Sequence, residues 1–422
     1  MQPSRKPLDR HARVAIQTAL SDTPVVVLQG ARQVGKSTLA GEISRGLGGT
    51  FVTLDDEVTR LVSQDDPTAF VLRGGSGLLV IDEIQRSPGL MLAIKATVDR
   101  DRRPGRFLVT GSADLLRLRS VEDSLAGRAE TVELFGLSQG ELIGTRETFI
   151  DDVFTDGPPV EWASKLTRAD YLERACAGGF PEALRRNDRR RDSWFADYAQ
   201  RVLARDAAEI SEGQRLGDLP RLLRFVASRS ATELNQADLA RDSAFAARTL
   251  PSYLDLLEML YLIWRIPAWS SNLTNRLVKR PKIALTDSGL LAHLLNLSPA
   301  GMDLLRDPTP AGPLIETFVV NELRRQAGWS AEAVRIFHLR EGDRLEVDII
   351  LEHRDGRVAG IEVKAGASLG AKAFKGLAEL RDRLGSRFAR GIVLYSGSDA
   401  LPAGDRLAAL PIEALWRGRG AA

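Results

Sequence analysis

The spacing of apolar residues divides the chain into three stretches. In the first, short β-branched runs such as residues 24–29, 78–82 and 106–110 alternate with helical patterns, as in an open α/β sheet with helices on its faces. In the middle stretch, apolar residues recur every three or four positions and predict helices. From Pro313 onward, a helix is followed by three strands, a helix and another strand. The predicted fold class is α/β, with more than one domain.

Breaks in these patterns give four predicted segments, at residues 1–145, 146–210, 211–285 and 286–422. The second segment contains TDGPPVEW, whose glycine and prolines are typical of an exposed linker. The third contains three helices and a candidate wing, with Asn235 as the cap of the second helix, and this order predicts a winged helix-turn-helix region. Pro251 falls in the first turn of the third helix, which also offers few side chains that read base edges. Sequence-specific DNA recognition is therefore not predicted.

A glycine-rich loop in the first segment carries the strongest chemical signal. The run PVVVLQGARQVGKSTLAGEI matches the phosphate-loop template at every fixed position, between a strand and a helix. Glycines let backbone N–H groups converge on phosphate oxygens, and the helix presents its positive end to the same anion. Lys36 is expected to reach the β- and γ-phosphates, and Ser37 to ligate Mg²⁺. The predicted ATP-binding residues here are Gly30, Ala31, Arg32, Gln33, Val34, Gly35, Lys36, Ser37 and Thr38.

A second buried strand, in GLLVIDEIQ, ends in two carboxylates. Open α/β sheets place their ligands at the carboxyl ends of the strands. Asp82 is predicted to hold Mg²⁺ through water, and Glu83 to orient and deprotonate the attacking water. An isolated Asp-Glu pair after a strand is also a common solvated strand end. Its position about 45 residues after the phosphate loop favours the catalytic interpretation.

A third strand, in RFLVTGSADLL, ends in Thr110-Gly111-Ser112. A hydroxyl at this point can sense the γ-phosphate and align the lytic water, so Ser112 is added to the predicted ATP-binding residues. Threonine and serine are also ordinary turn residues and helix caps.

These motifs together resemble those of AAA-type ATPases, and more narrowly a widespread prokaryotic family that joins such an ATPase to a C-terminal domain of unknown function. The resemblance rests on LQGARQVGKSTL, LLVIDEIQ, LVTGSADLL, SLAGR and GGFPEAL, and it covers roughly residues 10–370. It implies ATP and Mg²⁺ as ligands and a helical lid within residues 146–210. It also implies an arginine finger at Arg128, although an arginine at a strand start is usually solvated. A finger that acts from a neighbouring subunit would imply a homo-oligomer.

The order of elements after Pro313, αβββαβ, is that of the restriction-endonuclease-like core. Asp355-Gly356 between the second and third strands is a strong hairpin signal. The nuclease pattern (P)D…(D/E)xK fits Asp348, Glu362 and Lys364 in the right strands. The proline of that pattern is replaced by Val347.

A metal site would give these residues a common chemistry. Asp348 and Glu362 are the predicted Mg²⁺ ligands, and Glu316 lies on the preceding helix, where many such nucleases place an extra acid. Lys364 is expected to position or deprotonate the nucleophile. The alternative is a cross-strand ion pair on an exposed sheet face. The apolar neighbours of both carboxylates favour the metal site, because unpaired charges on a covered strand cost several kcal/mol.

Composition narrows the class of protein. The 422 residues are 44% hydrophobic and 27% charged, which is typical of a globular protein. The net charge of +2 gives no global argument for nucleic acid. The single Cys176 excludes a disulfide framework and a cysteine-based zinc site, and the four scattered histidines argue against a histidine-metal cluster. The apolar runs are too short to span a bilayer. A cytoplasmic protein without a membrane partner is expected.

Two functions remain open on the sequence. In the first, an Mg²⁺-dependent ATPase drives a nuclease-like domain that acts on or binds nucleic acid, with DNA as the candidate partner. In the second, the protein is an ATP-gated switch whose C-terminal half is a non-catalytic module that binds protein or DNA.

Overall fold

The computed structural model describes residues 8–112, 125, 127–158, 160–210, 216–302, 309–342, 344–370 and 372–417. The chain forms two compact units. The first contains the residues up to Leu137 together with Met259–Tyr261, and the second contains Ser138–Glu258 and the residues from Leu262 onward. No helix in these described ranges is both long enough and apolar enough to cross a membrane.

The first unit is built on a five-stranded parallel sheet with the order β2-β3-β4-β1-β5. Its strands are β1 (Val25–Gln29), β2 (Thr50–Thr53), β3 (Leu79–Asp82), β4 (Phe107–Gly111) and β5 (Ala129–Glu133). Every residue of β1, β3 and β4 is buried. This explains their continuous β-branched runs, since a parallel strand covered on both faces has no wet side.

One helix precedes the first strand of this sheet, and the others lie between its strands. They are α1 (Ala12–Asp22), α2 (Lys36–Gly46), α3 (Glu57–Asp65), α4 (Pro67–Val71) and α5 (Gly89–Arg100). The side chains of Asp56 and Asp66 accept hydrogen bonds from the first turns of α3 and α4, so both helices begin at an aspartate cap. The alternation of strands and helices predicted for this part of the chain is confirmed.

The second unit begins with a run of helices. They are α6 (Gln139–Ile143), α7 (Phe149–Phe154), α8 (Arg168–Ala177), α9 (Pro181–Leu184), α10 (Asp188–Arg201) and α11 (Ala207–Ile210). The motif GGFPEAL joins α8 to α9. Its Gly179 N–H donates to the buried Asp287 carboxylate at 2.7 Å, and Asp287 also caps the helix that follows it. The motif therefore holds α8 and α9 against the helix that begins after Asp287. A lid role for these helices stays a prediction.

The helices and strands predicted for residues 211–285 are present. Helices α12 (Leu219–Ala227), α13 (Gln236–Ser243) and α14 (Leu250–Met259) accompany a three-stranded antiparallel sheet. Its strands are β6 (Thr232–Glu233), β7 (Ile263–Ile266) and β8 (Lys282–Leu285), in the order β6-β8-β7, with α15 (Leu273–Val278) between the last two. Asn235 caps α13 as predicted, and Pro251 lies in the first turn of α14. The winged-helix assignment stays a prediction.

The C-terminal part contains a six-stranded mixed sheet with the order β13-β14-β12-β11-β10-β9. Helix α16 (Ser288–Leu294) precedes the predicted αβββαβ series, which is α17 (Ala311–Ala327), β9 (Val334–Glu341), β10 (Leu345–His353), β11 (Val358–Lys364), α18 (Lys375–Leu384) and β12 (Phe388–Tyr395). Strands β13 (Leu401–Pro402) and β14 (Leu407–Pro411) extend it beyond the prediction. Asp355-Gly356 lies in the β10–β11 turn, as the hairpin signal predicted. The restriction-endonuclease assignment stays a prediction.

Candidate functional site

The loop between β1 and α2 has a backbone that requires its two glycines. Gly30 has a φ of 150°, and a Cβ added there would lie 2.1 Å from the carbonyl oxygen of Leu134. Gly35 has a φ of 102° and forms the N-cap of α2. Both conformations disfavour residues with a side chain. The fixed glycines of the sequence template therefore correspond to two real constraints of the fold.

Lys36 and its neighbours are placed for a phosphate ligand. The Lys36 side chain is only 4% exposed, and its Nζ donates to the carbonyl oxygens of Gly30 and Ala31, each 2.9 Å away. A phosphate oxygen can replace these contacts at the same ammonium. Ser37 and Thr38 open α2 with exposed side chains, at the positive end of the helix.

The carboxyl ends of β2, β3 and β4 lie at the same edge of the sheet as this loop, because all the strands are parallel. Asp82 is almost fully buried there. Its Oδ1 accepts a 2.6 Å hydrogen bond from the Thr110 hydroxyl, and its Oδ2 accepts a 3.2 Å hydrogen bond from the Thr53 hydroxyl. Two strands on either side of β3 thus fix the orientation of the carboxylate.

Glu83 follows Asp82 in a strained turn. Its φ of 57° lies in the left-handed region, which is uncommon for a residue with a side chain and is often found at functional sites. Its N–H donates to the Thr110 hydroxyl at 3.1 Å, and its carboxylate accepts from Gln85. Gln85 also donates to the Ser112 hydroxyl at 3.1 Å. Gln85 was not predicted, although it belongs to the quoted run LLVIDEIQ.

Arg10 is a second residue that the sequence analysis missed. The residue is 8% exposed, and its guanidinium donates to the carbonyl oxygens of Val34, at 2.8 Å, and Phe135, at 2.6 Å. It thereby joins the phosphate loop to the chain that follows β5. The contact with Val34 spans 24 residues of sequence. No local motif around Arg10 indicates it.

Arg128 lies at the opposite edge of the sheet from the phosphate loop. It precedes Ala129, which pairs with Val25 at the start of β1, whereas the loop follows Gln29 at the end of that strand. The Arg128 Nε lies 2.6 Å from Asp99 Oδ1. Within one chain, the structure does not bring Arg128 to the loop. Its role as a finger in a neighbouring subunit stays a prediction.

The four predicted residues of the C-terminal site do come together. Between Val347 and Ile350, two residues of β10 lie opposite one residue of β9, and Asp348 lies in this β-bulge. Its Oδ2 accepts from the Val363 N–H at 2.9 Å. Glu362 and Lys364 share a face of β11, and their side chains form an ion pair at 2.6 Å.

A fifth residue, Lys282, enters the same cluster from the first position of β8. Its side chain is 2% exposed, and its Nζ lies 2.7 Å from Glu316 Oε1 and 3.5 Å from Asp348 Oδ1. Burial opposes its charge, but the carboxylates of Glu316 and Asp348 outweigh burial and raise the pKa of Lys282. Burial raises the pKa of Glu316, and raises that of Glu362 to about 7. The cluster thus already contains a cation.

This arrangement does not fit the predicted Mg²⁺ site. In the part of the chain that the structure describes, no group of three or more His, Cys, Asp or Glu residues is disposed to hold a metal ion. The proposed ligands Glu316, Asp348 and Glu362 instead accept hydrogen bonds from lysines and from backbone. The Mg²⁺ predicted at Ser37 and Asp82 differs in kind, because nucleotide phosphates supply part of its ligand shell.

Three sequence-family models match parts of the chain. Residues 22–143 match the sequence model described as AAA domain. Residues 168–301 and 311–415 match two domains of unknown function, DUF8612 and DUF4143. The first match identifies the first unit as an AAA-type domain and supports ATP binding. The other two matches carry no assigned chemistry.

Two curated relatives resemble almost the whole chain. The uncharacterized protein Rv2008c of Mycobacterium tuberculosis and the uncharacterized protein Mb2031c of Mycobacterium bovis are each 30% identical over 413 residues, which is 96% of this chain and 83% of theirs. Among solved structures, the Walker-type ATPase PABY2304 of Pyrococcus abyssi aligns with 68% of this chain and 96% of its own, at 16% identity and a TM-score of 0.41.

Proposed function

The chain belongs to the same family as the uncharacterized mycobacterial proteins Rv2008c and Mb2031c, and we propose that its first unit hydrolyses ATP with Mg²⁺ as the cofactor. One observation carries the proposal. A single edge of the parallel sheet holds the phosphate loop with Lys36, the carboxylate of Asp82 fixed by Thr110, and the strained Glu83. The match of residues 22–143 to the AAA domain supports it.

Each side chain has a defined task in this proposal. Lys36 exchanges its carbonyl partners for phosphate oxygens and offsets their charge. Ser37 and Asp82 would hold Mg²⁺, which when bound neutralises charge that develops on the phosphates. Glu83 accepts the proton of the attacking water. Gln85 holds the Glu83 carboxylate near Ser112, and it must release one of these groups when water and the γ-phosphate enter.

Equilibrium measurements of ATP affinity distinguish residues that bind the nucleotide from residues that act only in hydrolysis. In a titration with a fluorescent ATP analogue and Mg²⁺, Lys36→Ala should bind at least about a hundredfold more weakly than wild type, since it loses charge-assisted contacts. Glu83→Gln should bind as wild type does. Equal affinity of Lys36→Ala and wild type would contradict the assignment of the loop.

We further propose that the second unit is a binding module under control of the ATPase, and that it lacks nuclease chemistry. The observation in favour is the cation that already fills the acidic cluster. The competing hypothesis, a nuclease, requires Mg²⁺-dependent cleavage of DNA that Asp348→Asn abolishes. Detection of such cleavage would refute the module.

The partner of the module is identified through the ATPase rate. DNA that contacts the protein through phosphates should raise the rate, and the effect should weaken as salt increases. A rate that no nucleic acid changes would favour a protein partner. Size-exclusion chromatography with light scattering in ATP and Mg²⁺ tests the proposed homo-oligomer.

A further inference from the structure

We infer that Lys282 is the resident cation of the cluster formed by Glu316, Asp348 and Glu362, and that its ammonium excludes a divalent metal from the place where a nuclease-like site would bind one. The C-terminal domain on this account works without a metal ion. The inference concerns the second unit alone and does not depend on ATP hydrolysis by the first.

Four of the six carboxylate oxygens of the cluster accept a hydrogen bond. Glu316 Oε1 and Asp348 Oδ1 accept from the Lys282 ammonium, at 2.7 and 3.5 Å. Asp348 Oδ2 accepts from the N–H of Val363 at 2.9 Å. Glu362 Oε1 accepts from Lys364 at 2.6 Å. A metal ion that binds any of these four oxygens competes for its lone pairs with the hydrogen bond that the oxygen already accepts.

The backbone holds Lys282 in this position. Within the three-stranded sheet, Lys282 pairs with Glu233 of β6 and with Ile266 of β7. Two residues earlier, the carbonyl oxygen of Arg280 accepts from Nε2 of His338 at 3.0 Å. Lys282 therefore lies in a strand that is paired on both sides, and the contact between Arg280 and His338 fixes the chain just before that strand.

A second set of hydrogen bonds fixes the residues that directly follow β7. The N–H of His338 donates to the carbonyl oxygen of Pro267 at 3.0 Å. The N–H of Trp269 donates to the carbonyl oxygen of His338 at 2.6 Å. His338 belongs to β9, which pairs with the Asp348 strand β10. The small sheet and the large sheet are thus joined through backbone hydrogen bonds, and these hold the backbone of Lys282 near the strand that carries Asp348.

Electrostatic repulsion by the lysine disfavours a metal ion in the cluster. A buried ammonium is costly unless it is paired, and here its partners are carboxylates on two different elements, α17 and β10. A divalent ion among the same oxygens would lie within about 4 Å of a fixed positive charge in a poorly solvated site, where repulsion between like charges is strong. Loss of the ammonium, in contrast, removes the cation that is paired with Glu316 and Asp348, and a divalent ion can neutralise these two carboxylates, whereas Glu362 keeps its pair with Lys364.

Mn²⁺ alone, titrated into the full-length protein without nucleotide, tests the inference by calorimetry. Wild type and Asp348→Asn should give the same heats, because wild type has no Mn²⁺ site that depends on Asp348. Lys282→Met should gain one Mn²⁺ site, at least about tenfold tighter than any in wild type. The double variant Lys282→Met/Asp348→Asn should lose that site again. Lys279→Met, which removes a partly exposed lysine three residues earlier, should behave as wild type.

Two results would overturn the inference. One is Mn²⁺ binding by wild type that Asp348→Asn abolishes, since the metal would then coexist with the ammonium or displace it. The other is a folded Lys282→Met protein without a new site. If Lys282→Met does not fold, Lys282→Gln carries the same test, because it removes the charge and keeps a hydrogen-bond donor. An increase in its melting temperature on addition of Mn²⁺, absent in wild type, is the expected second readout.

Discussion

The guanidinium of Arg10 donates a hydrogen bond to the carbonyl oxygen of Val34, 2.8 Å away, and so fastens the phosphate loop from outside the loop itself. A second bond, to Phe135 at 2.6 Å, ties the same guanidinium to the chain after β5. The loop conformation therefore depends on a residue that lies in none of the nucleotide-binding motifs.

Arg10→Ala should weaken ATP binding about tenfold, because a loop that has lost a charged hydrogen bond of about 1.5–3 kcal/mol is less well ordered before the ligand arrives. The dissociation constant of a fluorescent ATP analogue measures this. Arg103→Ala is the matched control, since Arg103 also donates to two backbone carbonyls, those of Gly75 and Ser76, but not in the loop. Equal weakening by both variants would mean that the effect is general destabilisation.

Thr110→Val should lower the rate of hydrolysis about tenfold and leave ATP affinity nearly unchanged. The substitution removes the 2.6 Å hydrogen bond to Asp82 and the acceptor for the Glu83 N–H, so both carboxylates lose their fixed orientation. Thr53→Val removes only the longer bond, at 3.2 Å, and should have a smaller effect. Steady-state rates of the two variants make the comparison, and a larger effect of Thr53→Val would contradict the order proposed here.

Arg128→Ala should reduce hydrolysis without reducing ATP affinity, and the defect should be rescued in a mixture. Because Arg128 lies at the opposite edge of its own sheet from the phosphate loop, a finger role requires the site of another subunit. A mixture of Arg128→Ala with Glu83→Gln should then regain activity that neither variant has alone. Asp99→Ala, which removes the ion-pair partner and keeps the guanidinium, should retain activity. A mixture that stays inactive would rule out the finger in trans.

Glu322 should make the second unit less stable as the pH rises. Burial, only partly offset by Arg325, raises its pKa to about 7 from an ordinary value of 4.5. A group with a raised folded-state pKa contributes stability that is complete below pH 4.5 and is lost as the pH rises through 7. As the pH rises from 4.5 to 7, the urea midpoint of wild type should therefore decrease relative to that of Glu322→Gln. The decrease should correspond to about 3 kcal/mol in the free energy of unfolding.

Glu341→Gln supplies the control for that measurement. The hydrogen bond from Arg383 lowers the pKa of Glu341, so its contribution should be lost as the pH falls, which is the opposite sign. A difference between wild type and Glu322→Gln that does not change with pH would show that this carboxyl is not perturbed.

Residues close in sequence were predictable, and contacts across the chain were not. The loop from Gly30 to Ser37 and the pair Asp82-Glu83 obey local rules, because the backbone needs glycine at fixed positions and a strand delivers its last residue to the sheet edge. The position of Arg128 also follows from such a rule, since a residue before a parallel strand lies at the amino edge, away from the loop.

Lys282 and Arg10 illustrate what the sequence leaves open. Lys282 opens a short strand after a proline, where a lysine is ordinarily solvated, and its partners Glu316 and Asp348 follow 34 and 66 residues later. Only the backbone joint between two sheets brings them together. The nuclease pattern was recognised from its acids and its lysine, and the cation that changes its chemistry lay outside the pattern.

The rate of phosphate release from ATP in the presence of Mg²⁺, for wild type and Glu83→Gln, tests the central claim most directly. Wild type should turn over, and Glu83→Gln should bind ATP with unchanged affinity and release phosphate at least about a hundredfold more slowly, since general-base catalysis contributes roughly 10²–10⁴ to a rate. Turnover by Glu83→Gln at the wild-type rate would contradict the assignment of the base. Absence of turnover in wild type, alone and with DNA, would contradict the account of the first unit as an ATPase.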